Sequence, residues 1–317
     1  MGPKAPGPPT GGAHDLKPDG AGPGAEPNPS RPLEIEEWWN ARLIHPASRA
    51  IARLLEPTFV TPNAVSVTGA AAIAAAGFAY SLIAWPASAL VGFLLHGAWN
   101  VLDGTDGELA RRTGKTSTYG EIVDGLCDYG GHIVLYVTLA AFLSGTLGLW
   151  AWGLATAAGG SRILQANHYE TLRHTYVWRY FGAPWLRRTA SNEGIAVGRS
   201  LPARTAAGLA GAYVALSSSF SRDAMAVDER FAALADDPAA LARARGLGRD
   251  AERIAVQRAG CLSADLRTLA LGVSMAAADS PLWFFLLECT LLNGVLAWSV
   301  IGQGRRNRRL AAELSAW

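Results

Sequence analysis

A chain of 317 residues that is 50% hydrophobic and only 17% charged, with 35 Gly and 11 Trp, has the composition of packed membrane helices. Its formal net charge of +2 is too small for a nucleic-acid binder, and its basic residues cluster in loops. Cys127, Cys261 and Cys289 are dispersed and without metal spacing, so they read as small apolar residues rather than a disulfide frame.

Residues 1–32 are rich in Pro and Gly with almost nothing large and apolar, a composition that predicts a disordered tail. It contains no signal-peptide core, and Pro6 stands where a myristoylation signal needs Ser or Thr. Residues 33–57 set Trp39, Leu43, Ile51, Leu54 and Leu55 roughly on one helical side, with Arg42, Arg49 and Arg53 elsewhere. An amphipathic helix lying on the cytoplasmic membrane surface is expected, broken or kinked at Pro46. A helix of a soluble domain is the alternative.

Apolar segments follow at 63–85, 88–102, 122–143 and 147–166, and again at 266–278 and 282–301 around an Asp279-Ser280-Pro281 turn. The 266–278 segment is short for a span of about 20 residues. Residues 201–222 are apolar, but weakly so. A seventh span there would put Arg305, Arg306, Arg308 and Arg309 across the membrane from the loop containing Arg111, Arg112 and Lys115, against the positive-inside rule. The fourteen arginines from Arg173 to Arg267 also favour a cytoplasmic connection. The expectation is an all-α, polytopic membrane protein of six transmembrane helices with an N-terminal interfacial amphipathic helix and both termini inside. Its parts are the tail 1–32, the interfacial helix 33–57, spans one to four in 58–169, and a cytoplasmic helical insert 170–262. Spans five and six in 263–304 and a basic cytoplasmic tail 305–317 complete it. Within the insert, 236–258 is the clearest helical part.

Between spans two and three stand Asp103, Asp106, Asp124 and Asp128. Carboxylates at or near membrane depth are costly and are rarely kept without a charge partner or a metal. Asp103 and Asp106 are three apart and Asp124 and Asp128 four apart, so each pair shares a helix face. Two helices joined by the loop around 113–119 would aim four carboxylates into one cleft, as a divalent-metal site requires.

Residue by residue the stretch is Asp103-x2-Asp106-Gly107-x2-Ala110-Arg111-x8-Gly120-x3-Asp124-x3-Asp128. It is similar, in all eight fixed positions and all spacings, to the signature of the CDP-alcohol phosphotransferase family of integral membrane phospholipid-synthesis enzymes. Thr61-Pro62-Asn63 opens the first span as those enzymes often do, and six spans is their usual count. The long insert and the Pro-rich tail depart from the smallest members. The resemblance implies that Asp103, Asp106 and Asp124 hold two divalent ions, Mg or Mn, and that Asp128 ligates or acts as general base. It also implies that Asp103, Asp106, Gly107, Ala110, Arg111 and Gly120 face the CDP group. Oxygen-only ligands independently favour magnesium or manganese over zinc.

Other readings stand beside these. Small residues at Gly107, Ala110 and Gly120 also let helices approach closely. Arg111 pairs either with a diphosphate or motif aspartate, or serves as an interfacial charge. His132, one turn beyond Asp128, is an acceptor contact or proton relay, or a hydrogen bond between helices. Arg162 and Arg173 suit a phosphorylated or polyhydroxyl acceptor, or snorkel to headgroups. Gln165, Asn167, His168 and His174 lie near them, and Glu288 and Asn293 are polar enough to line a cavity.

The activity that the resemblance implies is transfer of a phosphatidyl group from CDP-diacylglycerol to a polar alcohol with release of CMP. It would occur at the cytoplasmic face of a membrane, and Ala-, Gly- and Arg-rich usage suggests a bacterial inner membrane. Relatives are commonly homodimers. One rival is a CDP-choline or CDP-ethanolamine phosphotransferase with diacylglycerol as acceptor. Another is a divalent-metal transporter, which explains the aspartates but not Gly107, Ala110, Arg111 and Gly120.

Overall fold

Thr61 shows how closely local chemistry sets the boundaries: its hydroxyl oxygen accepts the Ala64 N–H at 3.2 Å, and Pro62 follows in the first helical turn. The structure, a computed structural model, describes residues 32–116, 118–182, 222–234 and 236–316. Among these the regular elements are all helices. In chain order they are α1 (His45–Leu55), α2 (Pro62–Leu82), α3 (Ala87–Thr113), α4 (Thr118–Leu147) and α5 (Trp150–Phe181). Then come α6 (Arg222–Ala233), α7 (Pro238–Gly246), α8 (Arg249–Ala259), α9 (Ala264–Ala278), α10 (Leu282–Cys289) and α11 (Leu291–Ser315). α3 stops where Gly114 adopts φ 65°, a left-handed cap that Gly takes without steric cost.

α2 packs against both α3 and α4, and glycine permits the approach. A Cβ on Gly131 of α4 would overlap Ile73 of α2 and lie 3.2 Å from the Ala70 carbonyl oxygen. The apolar core formed there includes Ile73, Tyr80, Trp99, Leu135, Phe284 and Phe285. Within it Arg267 of α9 pairs with Glu288 of α10 at 3.0 Å, their side chains only 1% and 0% exposed. Tyr136 of α4 donates to Glu288 at 2.6 Å, and Arg267 donates to Gln165 of α5 at 2.6 Å. Gln165 in turn donates to Asn293 of α11 at 2.9 Å. Four hydrogen bonds thus tie five helices together. A buried ion pair offsets its desolvation only when its remaining donors and acceptors are used in this way.

Four helical stretches among the described residues are long and apolar enough to cross a membrane: Pro62–Leu82, Ile122–Leu147, Arg249–Ala278 and Leu282–Ser315. They cover the first, third, fifth and sixth segments expected from the sequence. The segment 88–102 lies inside α3, and 147–166 divides between the end of α4, a turn at Gly148–Leu149 and α5; α3 and α5 continue into polar stretches up to Thr113 and Phe181. The fifth is longer than 266–278 because α8, a 3-10 turn at Gly260–Leu262 and α9 run on from one another.

Other boundaries also differ from the sequence expectation. α5 passes through the 169/170 boundary, and the window 236–258 divides into α7 and α8 at Gly248, whose φ is +69°. Residues 305–317 were expected as a basic tail, but the chain to Ser315 completes α11, with Leu310 and Leu314 buried beside Val227 and Phe231 of α6. The apolar side chains outweigh the run of arginines because the latter can reach solvent from the opposite face. Pro46 sits in the first turn of α1, directly after a π-helical turn at Asn40–Ile44, so the helical run from Trp38 changes geometry at the proline. Residues 1–31 and 201–221 lie outside the described residues.

The N-terminal segment packs onto the bundle. Tyr176 donates to Glu34 at 2.5 Å, Gln257 to the Glu34 carbonyl at 2.6 Å, and Ser48 to the Val101 carbonyl at 2.8 Å. Ile35 and Ala52 are buried, while Trp38, Trp39, Leu43 and Leu54 are exposed. Ser263 donates to Glu37 at 2.7 Å. Burial pushes the Glu37 carboxyl up to about 7; the Ser263 and Tyr169 hydrogen bonds oppose this, and neighbouring Asp265 adds to it.

Two outcomes are expected. Arg267→Met leaves Glu288 buried and unpaired and should cost about 3–5 kcal/mol in thermal unfolding in detergent. Because Glu37 titrates higher folded than unfolded, its stabilisation is complete below the ordinary glutamate value of 4.5 and is lost as pH rises through about 7. Melting temperature should therefore fall between pH 6 and pH 8 by a step that Glu37→Gln largely removes.

Candidate functional site

The last three turns of α3 carry Asp103 and Asp106, and the first three of α4 carry Asp124 and Asp128. Helix start and stop signals set this arrangement. Gly114 ends α3 while the chain is still near α4, and the close α2–α4 approach at Gly131 holds α4 against the same partner. Asp106 is buried, and both its oxygens are engaged. Its Oδ2 accepts from Ser66 Oγ of α2 at 2.6 Å, and its Oδ1 from the Gly107 N–H at 2.5 Å. Across the helix pair the Asp106 and Asp124 carboxyls lie close enough to act on one another. Two carboxylates hold such a contact only with a proton or a cation between them. Asp128 is near enough for its charge to act on Asp124. Asp103 is exposed on α3.

The donors are all oxygen, which by charge and hardness fits magnesium or manganese. The contact between Asp106 and Asp124 is the structural observation that agrees with a cation there. Among the described residues, however, no group of three or more His, Cys, Asp or Glu side chains stands in a metal-holding arrangement. Asp106 and Asp124 are thus brought together, whereas a closed cage of all four aspartates is not formed.

Around them, a Cβ on Gly107 would meet only the Arg111 guanidinium, at 3.4 Å, so that face of α3 is open. Ala110 and Gly120 are half-buried. Arg111 pairs with Glu108 at 3.1 Å, and Arg112 with Glu56 at 2.7 Å.

On the other side of Asp128 stands His132. Its Nδ1 lies 2.8 Å from the Asp128 main-chain oxygen and 3.1 Å from its Oδ1, and its Nε2 lies 2.7 Å from Arg162 Nη2 of α5. The Trp99 ring packs edge-on against His132 with centroids 4.4 Å apart. These groups mark the polar end of a cavity of about 350 Å³ between α4 and α5, whose walls include Ile133, Val137, Trp152 and Ile163.

The expected acceptor cluster separates. Arg162 joins His132, but Arg173 is eleven residues further along α5, about 16 Å along the axis. It bonds Glu170 at 2.6 Å, and His174 shares that carboxylate at 2.8 Å. Gln165, Glu288 and Asn293 belong to the buried brace, and His168 meets Ser299 at 2.9 Å. Sequence reasoning missed Ser66. Its only signal is a hydroxyl four residues after Pro62 in a largely apolar helix that also carries Thr68 and Ser81, and nothing local says which aspartate it meets.

A family model described as CDP-alcohol phosphatidyltransferase matches residues 59–228, more than half of the chain. The curated proteins compared with it contain no match.

Ser66→Ala would leave Asp106 Oδ2 buried without its donor. Thermal unfolding in detergent should show a loss of about 1–3 kcal/mol, against little change for a serine-to-alanine substitution at an exposed helix position.

Proposed function

The chain belongs to the CDP-alcohol phosphatidyltransferase family, and on that premise we propose that it moves a phosphatidyl group from CDP-diacylglycerol to a polar alcohol in phospholipid synthesis, releasing CMP. The observation that carries this reading is the Asp106–Asp124 contact, within the matched range, beside Asp128, which itself lines the polar end of an apolar cavity. Such a cavity suits a substrate with a charged head and lipid chains.

In the proposed reaction the acceptor hydroxyl oxygen attacks the lipid-side phosphorus. The new O–P bond forms as the P–O bond to the cytidylyl phosphate breaks, and that electron pair leaves with CMP. Asp128 takes the hydroxyl proton, and its place at the cavity rim supports the role. Gly107 leaves room for the nucleotide head, with Ala110 and Gly120 on the same approach. Arg111, half-exposed and paired with Glu108 of its own helix, is placed to turn towards a diphosphate. Asp103, Asp106, Asp124 and Asp128 would hold divalent magnesium or manganese, which when bound neutralises diphosphate charge. Ser66 and the Gly107 N–H hold Asp106 in one orientation, so little reorganisation is needed when substrate arrives.

The wider reading places six spans in a bacterial inner membrane, with the site facing the cytoplasm. α3 and α5, packed within the bundle, would supply the spans beyond the four apolar ones. Exposed Trp38, Trp39, Leu43 and Leu54 support an interfacial N-terminal helix. The rival partition is a soluble CDP-alcohol with diacylglycerol as acceptor, whose lipid chains the same cavity would suit.

Purified protein in detergent with magnesium should release CMP from CDP-diacylglycerol with at least one of a panel of polar alcohols. Asp128→Asn should lower the rate by about 10²–10⁴-fold. Turnover only with CDP-choline and diacylglycerol would select the rival. Cation uptake into proteoliposomes without nucleotide turnover would point to a transporter instead. Undiminished turnover in Asp128→Asn would remove Asp128 from the chemistry.

A further inference from the structure

An arginine guanidinium carries only donors. At 2.7 Å from Arg162 Nη2, His132 Nε2 must therefore accept, and the ring is neutral with its single proton on Nδ1. Nδ1 points to Asp128, 2.8 Å from the main-chain oxygen and 3.1 Å from Oδ1. We propose that His132 and Arg162 are a positioning pair for Asp128: Arg162 of α5 selects the His132 tautomer, and His132 then orients the Asp128 carboxylate for the acceptor hydroxyl. This rests on the reading of Asp128 as general base.

The geometry distinguishes this role from a direct acceptor contact for His132. The imidazole is 6% exposed and clamped by the Trp99 ring at 4.4 Å, with the His96 ring at 6.4 Å behind it. Both of its nitrogens are already engaged, so it has no free donor for a substrate. The pair also joins two parts of the fold. Asp128 and His132 are one turn apart on α4, but the tautomer is set from α5, thirty residues further on. Gln165, one turn beyond Arg162 on α5, is anchored by Arg267 and Asn293, so the buried brace holds the helix that holds the tautomer. The imidazole N–H, hydrogen-bonded to the Asp128 main-chain oxygen, also lies 3.1 Å from Oδ1 and so biases the direction in which the carboxylate faces. In the other tautomer Nδ1 would be an unprotonated acceptor facing a carboxylate, and the carboxylate would lose its orientation.

The test uses the full chain in detergent with magnesium, CDP-diacylglycerol and the acceptor that supports turnover. His132→Leu and Arg162→Met should each lower kcat by about 10–100-fold, with KM for the donor unchanged. The His132→Leu/Arg162→Met double variant should be no slower than His132→Leu alone, because both act through Asp128. His132→Asn places an amide N–H near the Nδ1 position and should recover most of the kcat lost in His132→Leu. Independently of turnover, the ¹⁵N spectrum of histidine-labelled protein without metal should show a neutral Nδ1–H histidine that disappears in His132→Leu and loses its single tautomer in Arg162→Met. Wild-type kcat in His132→Leu, losses confined to KM, or an Nε2–H signal for His132 would overturn the proposal. A wild-type protein that releases no CMP would instead overturn the proposed function, and the tautomer spectrum would still test whether Arg162 sets His132.

Discussion

The contact between Asp106 and Asp124 is the constraint around which the rest is arranged. Two carboxylates this close repel, the more so where water is excluded, so the contact persists only with a proton or a cation between them. The fold makes no attempt to separate them. α2 presses on α3 and α4 together through Gly131, and its Ser66 hydroxyl holds Asp106 from behind. A helix pair held this firmly presents its carboxylates as one unit, which is what a group recognising a diphosphate and its counter-charge needs.

The frame that resists the repulsion is polar as well. Arg267 and Glu288 are buried as a pair with Tyr136, Gln165 and Asn293 satisfying them, and the members come from α4, α5, α9, α10 and α11. Hydrogen bonds are directional, so this brace fixes the rotation of α5 more tightly than apolar packing would. That rotation places Arg162 against His132. A residue pair deep in the bundle and Asp128 at its edge are thus mechanically linked.

Much of the site could be read in the sequence because it is local. Asp103, Asp106, Gly107, Ala110, Gly120, Asp124 and Asp128 lie in two neighbouring helical stretches, and helix geometry alone tells which of them share a face. The α2 cap at Thr61 and the turn at Asp279 were legible for the same reason. Partners distant in sequence were not. Arg162 could have been an acceptor ligand or a snorkelling charge, and only α5 lying beside α4 makes it the partner of His132. Arg173, on the same helix and equally basic, ends on Glu170 instead. Glu288 resembled a cavity residue until Arg267, twenty-one positions earlier, was found to face it. The arginine run near the C-terminus suggested a solvated tail, although Leu310 and Leu314 at four-residue spacing already marked a buried face.

The central claim is that Asp106 and Asp124 act as one unit in holding the substrate. It is tested most directly by measuring the affinity of purified protein for CDP-diacylglycerol with magnesium in Asp106→Asn, Asp124→Asn and the double variant. The account predicts that each single change removes most of the affinity and that the double variant binds no more weakly than the singles. Independent, additive losses, or wild-type affinity in either single variant, would contradict it.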